Sequence, residues 1–287
     1  MYENSMEMKI WKSVLPVLIY LFINMLVQVV FTIAVTINEF MKLGSGGIMD
    51  YFTGYNFSGD IERVVSENGL AVTLISGLIT IPVCLVMMKK DEDLKEYTTI
   101  KNHLKNIRLK RWYYIVLVGI FASMGIGKAV TILPIDNILG SYEQVQSSFV
   151  SNPLILQIGA LAFIGPVTEE IVFRGLVYKR IKGYTDSLKG GIISAALFGI
   201  YHFNLVQGIY GFVLGILLVY VYEKYKTIAA PVILHVSANI AALVMNYSNI
   251  STAINQNIYL KILFMLIETG ALAAVLWRLN SIRDIRQ

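Results

Sequence analysis

Apolar residues dominate eight stretches of the chain, roughly 11–38, 69–88, 112–134, 153–175, 188–206, 207–223, 228–247 and 259–277. The segments between them carry most of the charge. Each stretch comes near the roughly 20 residues with which an α-helix crosses about 30 Å of hydrocarbon. Lipid offers the backbone no hydrogen-bond partners, so a span must satisfy its own peptide groups as a helix. The pattern predicts an all-α polytopic bundle of about eight transmembrane helices, forming a single integral membrane domain over 1–287. The first stretch follows Lys9 and Lys12 but outruns a signal-peptide core, and no A-x-A site comes after it. It reads as a span.

Local signals agree with these bounds. Asn152 before Pro153 marks a helix start with proline at the first helical position. Asp186 and Ser187 can cap the fifth stretch. Pro231 sits early in the seventh. Gly211 and Gly215 form a small-xxx-small pair suited to close helix packing. The stretch Gly125-Ile126-Gly127-Lys128 lacks the full spacing of a phosphate loop and lies in an apolar span.

The charges predict a topology. Residues 89–111 hold Lys89, Lys90, Lys95, Lys101, Lys105, Arg108, Lys110 and Arg111, and 176–189 hold Lys179, Arg180, Lys182 and Lys189. The tail adds Arg278, Arg283 and Arg286. The segment 39–68 is acidic, while 135–152 and 248–258 contain no Lys or Arg. Basic and non-basic loops alternate if both termini are cytoplasmic, which is the positive-inside pattern for eight spans. Residues 94–111, with Trp112 just beyond, suit a basic segment resting on anionic lipid or a solvated loop. His103 falls within it and reads as a surface residue.

Composition narrows the class. Hydrophobic residues make up 56% and mean hydropathy is +0.62, while charged residues reach only 15%, against about 25% in soluble domains. One core could not hide so much apolar surface, and a disordered chain would show the reverse balance. The single cysteine, Cys84, excludes an intramolecular disulfide framework and a cysteine zinc site. The net charge of +5 matters through its placement in loops. The Ile-, Asn- and Lys-rich usage leans towards a low-GC bacterium.

The chemistry lies in polar groups inside apolar helices. The fourth stretch contains Gly165-Pro166-Val167-Thr168-Glu169-Glu170-Ile171-Val172-Phe173-Arg174. Each charge there costs about 2.5–3.5 kcal/mol at the helix centre on the insertion scale, and persists where it is paired or faces a wet cavity. Glu170 and Arg174 stand at i, i+4 and can pair. Glu169 points about 100° away around the helix and is left for other work. Pro166 removes a backbone bond one turn earlier, which can bend the helix and make room for a cavity. The fifth stretch ends in Phe198-Gly199-Ile200-Tyr201-His202, and the seventh puts His235 and Asn239 on one face. At about 1.5 Å per residue, Glu169, His202, His235 and Asn239 lie roughly 16, 20, 13 and 20 Å in from the basic boundary. Four groups from three helices thus reach similar depth, as one site requires. Each group alone could equally be interhelical glue.

Glu-Glu-x-x-x-Arg at 169–174, Phe-x-x-x-His at 198–202 and His-x-x-x-Asn at 235–239, in that order on three spans, resemble the signature of the CAAX prenyl protease and bacteriocin-processing family. These are the Abi, or CPBP, intramembrane proteases. The resemblance covers about 150–247, spans four to seven, and no motif position departs from it. It implies that Glu169 is the general base that activates water and that His202 holds and polarises that water. His235 and Asn239 would stabilise the oxyanion. Glu170 and Arg174 would be structural support, and Phe198 would pack around His202. The implied reaction is metal-free hydrolysis with no cofactor. The alternative is a zinc ion on Glu169, His202 and His235, although no His-Glu-x-x-His helix is present and Asn is an unusual zinc ligand.

The expected function is an intramembrane endopeptidase acting on a hydrophobic or lipidated peptide, with the lipid bilayer as its other partner and no role for nucleic acid. A bacterial plasma membrane is the expected setting, with the active site reached from the cytoplasmic half. A non-catalytic bacteriocin-immunity or peptide-binding membrane protein is one alternative, and a small proton-coupled transporter is another. The intact signature favours catalysis. Glu268 in the eighth stretch lies outside the signature, as packing partner or cavity lining. Lys128 lies near the outer end of the third and can snorkel.

Overall fold

The computed structural model describes residues 5–53, 57–91, 112–132, 152–248, 253–254 and 256–281. The expectations for His103, for the basic segment 94–111, for 135–151 and for the tail beyond Ser281 lie outside the described residues.

Eight long helices account for nearly all of it: α1 (Met6–Thr53), α2 (Phe57–Lys90), α3 (Trp112–Ile132), α4 (Leu154–Tyr184), α5 (Ser187–Tyr201), α6 (Leu205–Tyr225), α7 (Ala229–Asn246) and α8 (Ile258–Ser281). The described residues contain no strand. Seven helices are long and apolar enough to cross a membrane; α5, at 15 residues, is the short one. It spans only about 22 Å.

Large apolar side chains face outwards along the bundle. On α1 these include Phe22, Met25, Leu26, Val30 and Ile33, and on α8 Tyr259, Leu263, Leu266 and Ile267. Water would penalise such a surface and lipid does not. The chain is an integral membrane protein.

Three boundaries differ from the sequence reading. Most of 39–68 is helix, because α1 runs to Thr53 and α2 starts at Phe57. The apolar pattern marks where lipid ends, and a helix can continue beyond it. Likewise α4 continues past 175 through Lys179, Arg180 and Lys182 to Tyr184. The fifth stretch stops at Tyr201, short of 206. There His202 caps α5, Phe203 takes a left-handed conformation (φ 51°), and Asn204 caps α6 by accepting from the Gln207 amide.

The predicted caps and close approaches are present. Asp186 caps α5 by accepting from the Lys189 amide, which holds its carboxyl below the usual carboxylate range. A Cβ at Gly215 would stand 3.0 Å from Ala195 Cβ, so α5 and α6 pack with little between them. Gly119 is tighter still, since a Cβ there would come within 2.4 Å of the Leu234 carbonyl oxygen, and it lets α3 press onto α7.

The core forms around α4. Val172, Phe173, Leu176 and Val177 are fully buried in one apolar cluster that also takes in Ile115, Val118 and Ala122 of α3, Leu214 and Leu218 of α6, and Leu234 and Ala238 of α7. Ion pairs tie helix ends together at one edge of the bundle. Arg180 on α4 meets Asp91 at the end of α2 at 2.8 Å and also reaches the Lys12 carbonyl on α1. Lys182 meets Glu223 near the end of α6 at 2.7 Å. The basic ends of these helices therefore share one side, as the charge alternation requires.

Candidate active site

The site begins with an irregularity in α4. The helix widens to π geometry over Ile158–Ile164 and again over Ile171–Tyr178, on either side of an α-helical Gly165–Glu170. π turns are rare and collect at functional sites. Here the first has a local cause and consequence. The Gly165 amide bonds the Ala160 carbonyl, five residues back. In the same register the Leu161 carbonyl would take its bond from residue 166, but Pro166 has no N–H. The Leu161 oxygen is instead filled from another helix by Asn239 Nδ2 at 2.7 Å. The proline expected to bend the helix thus leaves an acceptor that orients Asn239.

Glu169 and Glu170 part as their angular separation predicts. Glu170 is fully buried, and its Oε1 accepts from Arg174 Nη1 at 3.0 Å, the expected i, i+4 ion pair. The same oxygen lies 2.8 Å from His235 Nδ1. Arg174 also donates to the Gly215 carbonyl of α6 at 3.2 Å and lies 4.6 Å from the centre of the Phe198 ring. Phe198 in turn sets its ring edge-on to His202 (5.0 Å) and His235 (5.7 Å), so it packs against both histidines.

Glu169 faces the other way. With 15% of its side chain exposed, it lines a cavity of about 1200 Å³ to which all eight helices contribute residues. His202, His235, Asn239 and Phe198 line the same cavity. The four polar residues grouped by depth are therefore brought together, and none faces lipid. A volume of this size exceeds the usual 300–1,000 Å³ of small-molecule pockets and leaves room for a peptide segment.

Hydrogen bonding fixes both imidazoles. His202 Nδ1 lies 2.8 Å from the Phe198 carbonyl oxygen, which can only accept, so Nδ1 carries the hydrogen. His235 Nδ1 donates to the Glu170 carboxylate in the same way. Each neutral ring then turns its Nε2 lone pair elsewhere. His235 Nε2 stands 3.6 Å from Glu169 Oε2, an ion-pair distance but too long for a hydrogen bond.

Glu169, His202 and His235 are the donors that zinc would need. Among the described residues, no three His, Cys, Asp or Glu side chains form a group that could hold a metal ion.

Several residues of this region escaped the sequence reading. The contact from Glu170 to His235 joins helices 65 residues apart in sequence and leaves no local signal. Lys128 does not snorkel. It is buried, lines the cavity and holds both carboxylate oxygens of Glu268, at 2.8 and 2.9 Å, which binds α3 to α8. Tyr20, Asn24 and Tyr201 also line the cavity. Asn24, a polar residue within an apolar span, was open to the same search for intramembrane polar groups that found Asn239.

Residues 151–241 match the family model described as type II CAAX prenyl endopeptidase Rce1-like. The resemblance carried by the three motifs is shown over this segment, which includes every residue grouped above from α4, α5 and α7. Over 104 residues the chain is 26% identical to a Bacillus subtilis (strain 168) protein named "Putative membrane peptidase YdiL", covering 36% of this chain and 42% of that protein. It is also 26% identical over 152 residues to the UPF0177 protein YxdF of Lactococcus lactis subsp. lactis (strain IL1403), covering 49% of this chain and 80% of that one. The chain thus spans less than half the length of the first relative. No solved structure matches it significantly.

Proposed function

We propose that this chain is an intramembrane endopeptidase that hydrolyses a peptide bond of a hydrophobic or lipidated peptide held in the membrane. The observation that carries this reading is the convergence of Glu169, His202, His235 and Asn239 on one cavity inside an apolar bundle. A packing role would not require all four to face an open volume.

The chemistry follows from the donors and acceptors. Glu169 accepts a proton from a water, whose oxygen attacks the carbonyl carbon. His202, with Nδ1–H committed to the Phe198 carbonyl, turns Nε2 to accept from the same water. The carbonyl oxygen becomes an oxyanion and needs donors placed in advance. Asn239 spends one N–H on Leu161 and keeps the other. The resemblance assigns His235, its Nδ1 held by Glu170, to the same oxyanion. Glu170 and Glu169 stand on the two sides of its ring. The proton on Glu169 then passes to the leaving nitrogen as the C–N bond breaks, and the carboxylate is restored.

The expected setting is a bacterial plasma membrane, with both termini cytoplasmic and the site entered from the cytoplasmic half. The test is purified protein in lipid, wild type and Glu169→Ala, incubated with candidate membrane peptides and read by mass spectrometry. Wild type should cleave, and the variant should lose about 10²–10⁴-fold in rate. Equal cleavage by both proteins would remove Glu169 from the mechanism, and no cleavage by wild type would sink the peptidase reading.

A further inference from the structure

Glu169 makes no direct hydrogen bond among the described residues, and its ionic neighbour is His235 Nε2 at 3.6 Å. A base that must strip a water at a fixed angle needs its carboxylate held. The two histidines cannot hold it when neutral, because both commit Nδ1–H elsewhere and present lone pairs. Arg174 puts Nη1 on Glu170 and Nη2 on the Gly215 carbonyl, and makes no hydrogen bond to Glu169. The missing donor has to come from another wall of the cavity.

That wall is built by α1, α2 and the end of α5. Ser76 on α2 donates to Asn24 Oδ1 at 2.6 Å. The Tyr20 carbonyl beside the amide can only accept, which makes Nδ2 the donor end. Nδ2 donates to the Tyr20 carbonyl at 3.0 Å and to the Tyr201 hydroxyl oxygen at 3.3 Å. The rings of Tyr20 and Tyr201 stack 5.0 Å apart and nearly parallel, which brings the two hydroxyls together beside Asn24. Phe173 packs edge-on to Tyr201 at 5.6 Å and holds the stack in place. Two hydroxyl hydrogens are then present, and a bond between the hydroxyls uses one. The other is left to point onwards. Tyr20, Tyr201 and Glu169 line the same cavity.

We propose that the Tyr20–Tyr201 hydroxyl pair, aligned by Asn24 and Ser76, donates through one bridging water to Glu169, and so holds the general base in position. These are positioning residues. Three of the four, Tyr20, Asn24 and Ser76, lie outside the segment 151–241 that matches the family model. The proposal gives α1 and α2 a part in the site beyond enclosing it. The catalytic consequence rests on the peptidase reading above, but the contact itself does not.

The experiment therefore has two arms, using full-length protein in lipid. The first is independent of turnover. Infrared difference spectra between low and high pH locate the protonated Glu169 C=O stretch as the band lost in Glu169→Gln. In Tyr20→Phe/Tyr201→Phe this band should move to higher frequency, because a donor has been removed; an unmoved band overturns the proposal. Phenylalanine keeps both rings, and Tyr201→Phe alone serves if the double variant folds poorly. The second arm is steady-state cleavage. The double variant should lose about 10- to 100-fold in kcat with KM within about twofold, the pattern of a misplaced catalytic group. Asn24→Leu should lose less, since the hydroxyls remain but are no longer aligned. An unchanged kcat overturns the positioning role. Absence of cleavage by wild type refutes the peptidase reading, while the infrared band still decides the contact.

Discussion

Glu169 and Glu170 are neighbours in the chain and opposites in environment, and one helical step separates the two fates. Glu170 is fully buried between a guanidinium and an imidazole, whereas Glu169 opens on a cavity. The pairing of Glu170 with Arg174 was legible as an i, i+4 relation. The third member, His235, was not, because a contact between distant helices has no periodicity in one sequence. This third member makes the Arg174 prediction severe. Arg174→Ala would leave a buried carboxylate facing only His235, and losing one partner of such a pair costs about 3–5 kcal/mol. Thermal unfolding in detergent should show a lowered midpoint and a poor folded yield. A stable, fully active Arg174→Ala protein would contradict the role. The zinc alternative is decided at the same scale. Under the metal-free mechanism strong chelators leave the cleavage rate unchanged, and elemental analysis of active protein finds no stoichiometric metal. One tightly bound ion per chain, lost in step with activity, would overturn that mechanism and leave the peptidase reading standing.

Among the elements, α4 departs most from its sequence pattern. Its apolar run marks a span, and Pro166 signals a disturbance. The paired π segments could not be read, since π and α turns carry the same hydrophobic stripe. The structure ties the disturbance to Asn239 through the unfilled Leu161 carbonyl. Pro166→Ala tests this link. An alanine restores the missing N–H and removes a residue that costs about 3 kcal/mol or more inside a helix. Thermal stability should hold or rise, while cleavage should fall about tenfold, because Asn239 loses its sole claim on Leu161 and a slightly displaced group forfeits rate steeply. Raised stability with unchanged turnover would mean that the bulge does not position Asn239. The short α5 is a second case. Its apolar run merges with that of α6 in sequence, and only the left-handed Phe203 and the Asn204 cap separate them. Phenylalanine gives no warning of such a turn, where glycine or asparagine would.

Across the whole molecule, the sequence made the number of helices, their approximate bounds and their relative directions legible, because lipid imposes an apolar length and loops keep their basic residues on one side. Helix extents outside lipid were less legible, since hydropathy falls silent there while the helix of α1 or α2 continues. The contacts of Arg180 with Asp91 and Lys12, and of Lys182 with Glu223, put the basic ends of α1, α2, α4 and α6 at one edge. Which face of the membrane that edge meets is a separate matter, and the excess of Lys and Arg predicts the cytoplasm. Two single-cysteine reporters test it in a background with Cys84 replaced by alanine, since Cys84 is the one native thiol. Lys189→Cys stands at the start of α5 on a side chain that is 72% exposed. Gln256→Cys stands just before α8 on the opposite edge and is also exposed. With a membrane-impermeant maleimide, intact cells should label position 256 and leave 189 untouched until the membrane is broken. Labelling of 189 in intact cells would invert the topology. The cavity would then open from the outer half of the membrane, and the substrates sought would be peptides arriving from outside the cell.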